Sequence, residues 1–368
     1  MDSLTHVVLG AALGELMLGK RMGNRALAWG ALLGTLPDLD ALLLPFFDTA
    51  NQLWWHRGPS HSLLVMGAVS YALAPWLAKL WKRDKISTAR AGWVLLAIWG
   101  THVLLDCFTV YGTSLGWPLP VRRVAFNQLF IADLFFTLPV LVAVVWLALL
   151  RTKKQWPQRR RLNAWGLGIA ASYAMLSVGM KLVVAAGFEA DLARRAVTYQ
   201  RLMEAPTPFN ILLWRAVVDR GDELWVGYRS VFEWQATPVR WTVYPQGRDA
   251  LAGMTGLREV KRLQWFTDGW WIARRHAQGV WIGDLRFDEA RSWGDKKDRV
   301  DSRLAFAWNF NPDAPGDRLQ SLHSMRAHPG ETLKRMAARI AGNRQAWEAN
   351  PRLAGVTGSL PEFLAVQE

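Results

Sequence analysis

Eight side chains of metal-ligand type interrupt a first half that is otherwise strongly apolar: His6, Asp38, Asp40, His56, His61, His102, Asp106 and Asp133. An Asp at the centre of a membrane helix costs about 2.5–3.5 kcal/mol on insertion scales, so such a group persists where a partner or a task holds it. Imidazoles mixed with carboxylates suit Zn2+ or Mn2+ better than Ca2+ or a thiolate-preferring ion. A divalent ion in that shell lowers the pKa of its water toward about 7 and draws charge from a phosphoryl or carbonyl oxygen, which is the chemistry of hydrolysis.

Spacing adds detail. In His102-Val103-Leu104-Leu105-Asp106 the two polar groups are four apart, so a helix turns both to one side. They could grip one ion, or act as a ligand and the carboxylate that orients it. Pro37 removes a backbone donor within Pro37-Asp38-Leu39-Asp40 and loosens the helix there. On an intact helix Asp38 and Asp40 diverge by about 200°. An opened turn would let both reach one site, as ligand or as general base. His56-Arg57-Gly58-Pro59-Ser60-His61-Ser62 reads as a loop feeding a helix, with Gly58-Pro59 as the bend and Ser60 as the N-cap. Helix-start amides beside Arg57 favour a phosphate or other anion, and Arg57 is the expected anchor for a substrate anion.

Structural roles compete at several of these positions. His6 could be a hydrogen-bonded membrane His, and Asp133 could cap the helix that follows it. Arg122 and Arg123 suit lipid headgroups as well as a substrate. His276, His323 and His328 have no acidic partner at ligand spacing and read as surface or core residues.

The elements that must position these groups are long apolar runs: Leu4–Leu18, Ala26–Phe47, Ser62–Trp81, Ala91–Val110, Ile131–Leu150 and Ala164–Phe188. Five approach the roughly 20 residues that cross a hydrocarbon core of about 30 Å. The first is shorter, but Asp2 and His6 replace the positive start of a signal peptide and no small-residue cleavage site precedes Lys20. The expectation is therefore a membrane all-α bundle of about six transmembrane helices over residues 1–189. Lys20, Arg21 and Arg25 lie in the first connection, Lys79 to Arg90 in the third and Arg151 to Arg161 in the fifth, so odd connections face the cytoplasm. Both termini then lie outside, and all eight ligand-type residues fall in one outer layer.

Past that bundle the pattern shifts to short alternating segments. Leu224–Phe232, Arg240–Tyr244, Leu263–Phe266, Trp270–Arg274, Val280–Phe287 and Leu304–Phe310 read as strands, with Asp268-Gly269 and Gln278-Gly279 as turns. Asp191–Leu202 and Glu331–Trp347 read as helices. Residues 190–368 are thus expected to be a soluble α+β domain with an antiparallel sheet, placed in the periplasm. Its many Trp fill a core or rest at the bilayer interface. One Cys, Cys107, excludes disulfides and Cys-rich zinc sites. The net charge of +14 follows no single groove or helix, so a nucleic-acid partner is not expected.

Ser3-Leu4-Thr5-His6, Pro37-Asp38-Leu39-Asp40, the His56–Ser62 block and His102 to Asp106 continuing to Tyr111-Gly112, then Asp133, resemble the motif series of a bacterial inner-membrane family described as membrane-bound metal-dependent hydrolases, sometimes called LexA-regulated. The resemblance covers roughly residues 1–140. It implies an integral membrane hydrolase with a divalent metal; a more distant similarity to zinc-dependent phospholipase C implies phosphoester cleavage. Placement at the outer boundary points to a membrane lipid or lipid-linked substrate. Two other classes fit the same residues: an ion or solute transporter, and a non-catalytic metal-binding factor in stress response or assembly.

Overall fold

The computed structural model describes residues 1–150, 155–293, 300–322 and 329–347. His323 and His328 lie outside the described residues. Two compact units emerge, one of Met1–Phe46, Trp54–Val178 and Pro208–Asn210, the other of Phe47–Leu53, Gly179–Thr207 and Ile211–Glu368.

The first unit is helical. Helix α1 (Ser3–Met22) starts where the Asp2 carboxylate accepts from Thr5 N at 3.0 Å, and stops at Gly23, whose φ of 57° is left-handed. Helix α2 (Asn24–Thr35) turns straight back along it. The two pack through Gly10 and Gly14 on α1 and Gly30 and Gly34 on α2, where an added methyl group would run into the facing backbone. Such small-residue spacing lets membrane helices approach closely, and Gly14→Ala would force them apart.

Helix α2 ends just before Pro37, and Leu36–Leu42 continues as a 3-10 helix. The loosening expected at Pro37 is there. Helix α3 (Thr49–Trp55) belongs mostly to the second unit; a 3-10 turn at Pro59–His61 then leads into α4 (Leu63–Leu80), whose N-cap is Ser62 and not Ser60. Helix α5 (Thr88–Cys107), α6 (Leu134–Leu149) and α7 (Trp156–Arg194) complete the unit and lead out of it.

Among the described residues, four segments are long and apolar enough to cross a membrane: Asn24–Phe46, Leu63–Leu80, Thr88–Cys107 and Trp156–Arg194. Helix α6 is apolar but has 16 residues, and α1 is less apolar because it packs against α2, α5 and α6. At 39 residues α7 is about 58 Å long, well beyond the expected Ala164–Phe188. Arg159, expected in a basic loop, sits inside α7 and is buried. Its guanidinium clasps Glu15 through Nε at 2.9 Å and Nη2 at 2.7 Å, and donates to Asn24 and Leu147.

The second unit contains antiparallel sheets. Strands β1 (Arg201–Pro206), β2 (Leu213–Asp219), β3 (Glu223–Ser230) and β4 (Thr242–Pro245) form a meander. In the second sheet β5 (Trp271–His276) and β6 (Gly279–Asp284) pair through the expected Gln278-Gly279 turn, followed in space by β9 (Ala307–Phe310) and β10 (Leu319–Ser321). Strands β7 (Glu289–Trp293) and β8 (Val300–Leu304) pair with each other. Trp270, Trp281, Tyr228 and Tyr244 meet in the core, which also receives Met336 of α9 (Pro329–Ile340).

Two expectations fail here. Leu263–Phe266 is not a strand but part of helix α8 (Arg258–Thr267), because Val260, Leu263 and Phe266 recur every three residues on one buried face. The expected Asp268-Gly269 turn is there, with Asp268, left-handed at φ 52°, as the cap of that helix. Nor does a helix run to Leu202: α7 stops at Arg194 and the chain enters β1, whose partner β2 is buried along its whole length. A fully buried strand has no alternation to read.

Candidate metal centre

Four side chains from three separate elements converge in the helical unit. Asp38 comes from the 3-10 segment, His61 from the turn before α4, and His102 and Asp106 from successive turns of α5. One ligand atom from each lies within 4.8 Å of all the others. His61 Nε2 is 2.9 Å from Asp106 Oδ2 and 3.3 Å from His102 Nε2; His102 Nε2 is 3.4 Å from Asp38 Oδ1. Two further pairs are 3.5 Å for His102 to Asp106 and 4.0 Å for His61 to Asp38. Ligands held about 2.1 Å from a tetrahedral zinc stand about 3.4 Å apart, so the four span the right volume for one ion.

Hydrogen bonds at the back of each ring assign the tautomers. His102 Nδ1 lies 2.7 Å from the Gly34 carbonyl, which can only accept, so Nδ1 carries the proton. Ser60 Oγ donates to Asp40 Oδ2 at 2.8 Å and therefore accepts from His61 Nδ1 at 2.9 Å. The two Nε2 atoms then face each other and two carboxylates. Burial pulls the His61 pKa down to about 4, so the ring is neutral at physiological pH. Imidazole nitrogens and carboxylate oxygens converging on one point call for positive charge among them, which a proton or a shared metal ion supplies. A ligand His that gives its other N–H to a carbonyl or to a carboxylate-held group is the usual arrangement at a metal.

The other expected residues surround this point without joining it. His6 stacks on His102 with ring centroids 3.5 Å apart, and its Nε2 is 3.2 Å from Asp106 Oδ1. Arg57 Nη1 reaches the same oxygen at 3.2 Å, and the Met1 amino group also pairs with it. Asp106 thus faces cations with Oδ1 and the two His with Oδ2.

Asp40 does not share the site of Asp38. The 3-10 segment sends the two carboxylates to different partners: Asp40 accepts from Arg57 N at 2.7 Å and from Ser60 Oγ, and lies 3.3 Å from His56 Nδ1. It thereby secures Arg57, whose φ of 57° is strained for a non-glycine residue. His56 packs edge-on against Tyr111 at 5.4 Å, outside the four-residue cluster. Asp133 caps α6 through Phe135 N and Phe136 N and accepts from Tyr173, so its oxygens are occupied as a cap's are.

Arg123 departs from the headgroup expectation. It is buried, donates to the carbonyls of Tyr111 and Gly112, and lies with Arg57 about the Tyr111 ring, each 4.9 Å from its centroid. In the sheet unit His276 bonds Asn309 at 2.9 Å, as a structural His does. Ser60 and Glu15 carry roles that residue type alone left unassigned. Ser60 stands inside the motif block, and Glu15 is one more acid in an apolar run, which was signal enough to mark it.

Apolar helices of membrane-crossing length, gathered round a buried His and Asp cluster, define a polytopic membrane protein with a possible metal-binding site. The comparisons agree on its location. The model of the YdjM inner membrane protein family matches residues 1–184, half of the chain, and the chain belongs to that family. It is similar to Uncharacterized protein YfhP of Bacillus subtilis (strain 168), 31% identical over 165 residues that cover 40% of this chain and 47% of that protein. It is also similar to Inner membrane protein YbcI of Escherichia coli (strain K12), 30% identical over 118 residues that cover 32% of this chain and 66% of that one. The chain therefore spans less than two thirds of either relative. No solved structure matches.

Proposed function

We propose that this chain is a membrane-embedded, metal-dependent hydrolase acting on a lipid or lipid-linked phosphoester at the outer face of the inner membrane. The observation that carries the metal is the pair of imidazole Nε2 atoms 3.3 Å apart, each ring steered there by the bond at its Nδ1. His61, His102 and Asp106 are the holding set. Two His and one carboxylate are a ligand set that leaves zinc a position open for chemistry. Bound there, the ion supplies Lewis acidity toward a phosphoryl or carbonyl oxygen.

Asp38, the most exposed of the four, stands at the mouth and is placed to take a proton from an attacking water. Arg57 is the anion anchor: its Nε is buried and has no acceptor among the described residues. Lipid access is supported by the segment that carries Asp38, where Leu42 and Leu43 are 68% and 56% exposed, an apolar rim beside a polar site. The basic connections read in the sequence support the outer face, and the same reading would have the sheet unit in the periplasm.

The test is elemental analysis of detergent-purified protein together with hydrolysis of phospholipids and isoprenoid phosphates. His61→Ala and Asp106→Ala are expected to lose both the metal and the activity. Full activity in either variant overturns the mechanism, whereas metal retained by the native protein with no hydrolysis on any lipid phosphate would identify a non-catalytic metal-binding factor instead.

A further inference from the structure

Helices α6 and α7 leave a long unfilled groove between them, and its chemistry changes along its length. One cavity of about 410 Å³ is lined by apolar side chains that include Phe135, Leu138, Val142 and Ile169. A second, of about 510 Å³, shares Trp146, Leu162 and Trp165 with the first and adds Gln155, Gln158 and Arg161. Among the described residues, none that lines either cavity is acidic. From Phe135 to Trp146 the groove follows α6 for eleven residues, about 16 Å, which is about one leaflet of a 30 Å hydrocarbon core.

We propose that this groove binds one anionic phospholipid, with an acyl chain along the apolar cavity and the phosphate on Arg161. The charge pattern supports an anion. Of the run Arg159-Arg160-Arg161, Arg159 is consumed by Glu15, while Arg161 opens into the cavity beside two amide side chains that can donate to phosphate oxygens. Trp146 and Trp165 flank the junction of the apolar and polar cavities, at 52% and 72% exposure, which is where indole rings sit at a headgroup boundary. Gly166 forms the floor; a methyl group there would meet Ala143 Cβ at 2.6 Å. The groove shares no residue with the metal cluster, so the site is independent of the hydrolase proposal.

Native mass spectrometry of the full chain in detergent, incubated with phosphatidylglycerol or phosphatidylethanolamine of identical chains, tests it. The native protein is expected to retain phosphatidylglycerol about fivefold better, the value of one basic residue near a membrane surface. Arg161→Gln removes that preference, while Arg160→Gln, whose side chain lines neither cavity, keeps it. Val142→Trp, which fills the apolar cavity from an exposed position, lowers retention of both lipids. The melting temperature and size-exclusion profile in detergent stay unchanged in all three variants and confirm folding. Equal retention of the two lipids by the native protein, a preference that survives Arg161→Gln, or an equal loss in Arg160→Gln overturns the site.

Discussion

Asp284 in the sheet unit and Asp106 in the helical unit are both fully buried, yet they are neutralised in different ways. Arg286 closes on both Asp284 oxygens at 2.7–3.1 Å. Glu15 and Arg159 do likewise between α1 and α7. These are closed pairs, one guanidinium to one carboxylate, with directed donors and acceptors matched. Asp106 has Arg57, His6 and the Met1 amino group on one oxygen, and the Nε2 atoms of His61 and His102 on the other. Matched pairs hold a fold together. A cluster whose acceptors face one another is built for something that arrives.

The largest expected effect on the paired side of this contrast is Glu15→Gln. Leaving Arg159 buried without its anion costs about 3–5 kcal/mol, read as a lower melting temperature in detergent, while metal per folded molecule stays the same. Loss of metal in that variant would erase the distinction between pair and cluster.

Asp40→Ala sharpens the comparison from the other side. It removes the acceptor for Arg57 N and Ser60 Oγ, and with it the orientation of His61, so metal affinity should fall about 10–100-fold. Ser60→Ala should fall less and Ser60→Thr should retain affinity, because threonine keeps the hydroxyl relay. Isothermal titration with zinc reads all three.

Acid should act on the metal-stripped protein through His61. Its folded pKa lies near 4, below the ordinary 6.5, so the fold favours the neutral ring. The associated stability is complete above about pH 6.5 and is lost as the pH falls toward 4, by about 1–3 kcal/mol. Melting temperatures between pH 7 and 4.5 measure it, and His61→Gln is expected to flatten the profile. Smallest is Asp133→Ala, which removes a helix cap worth about 1 kcal/mol and leaves metal binding intact. A loss of metal there would move Asp133 into the site.

Much of the helical unit was legible because membrane insertion selects for a simple signal, length and apolarity, and four segments carry it clearly. Cap chemistry was legible where the cap is local, as at Asp133, and misjudged by two residues where Ser60 and Ser62 compete. In the sheet unit, α8 and β2 escaped reading: ten residues with three apolar positions resemble a short strand, and a strand buried on both faces has no period.

The sequence by itself determined which residues could serve a metal, that His102 and Asp106 share a helix side, and that Pro37 ends α2, because each depends on neighbours a few residues away. Only tertiary structure decided that Asp38 and Asp40 part company, that Ser60 and the Gly34 carbonyl fix the two imidazole tautomers, and that Arg159 belongs to Glu15. Those outcomes depend on atoms far apart in the chain, brought within about 3 Å by the glycine-to-glycine seating of α1 on α2 and by the docking of α5 beside them.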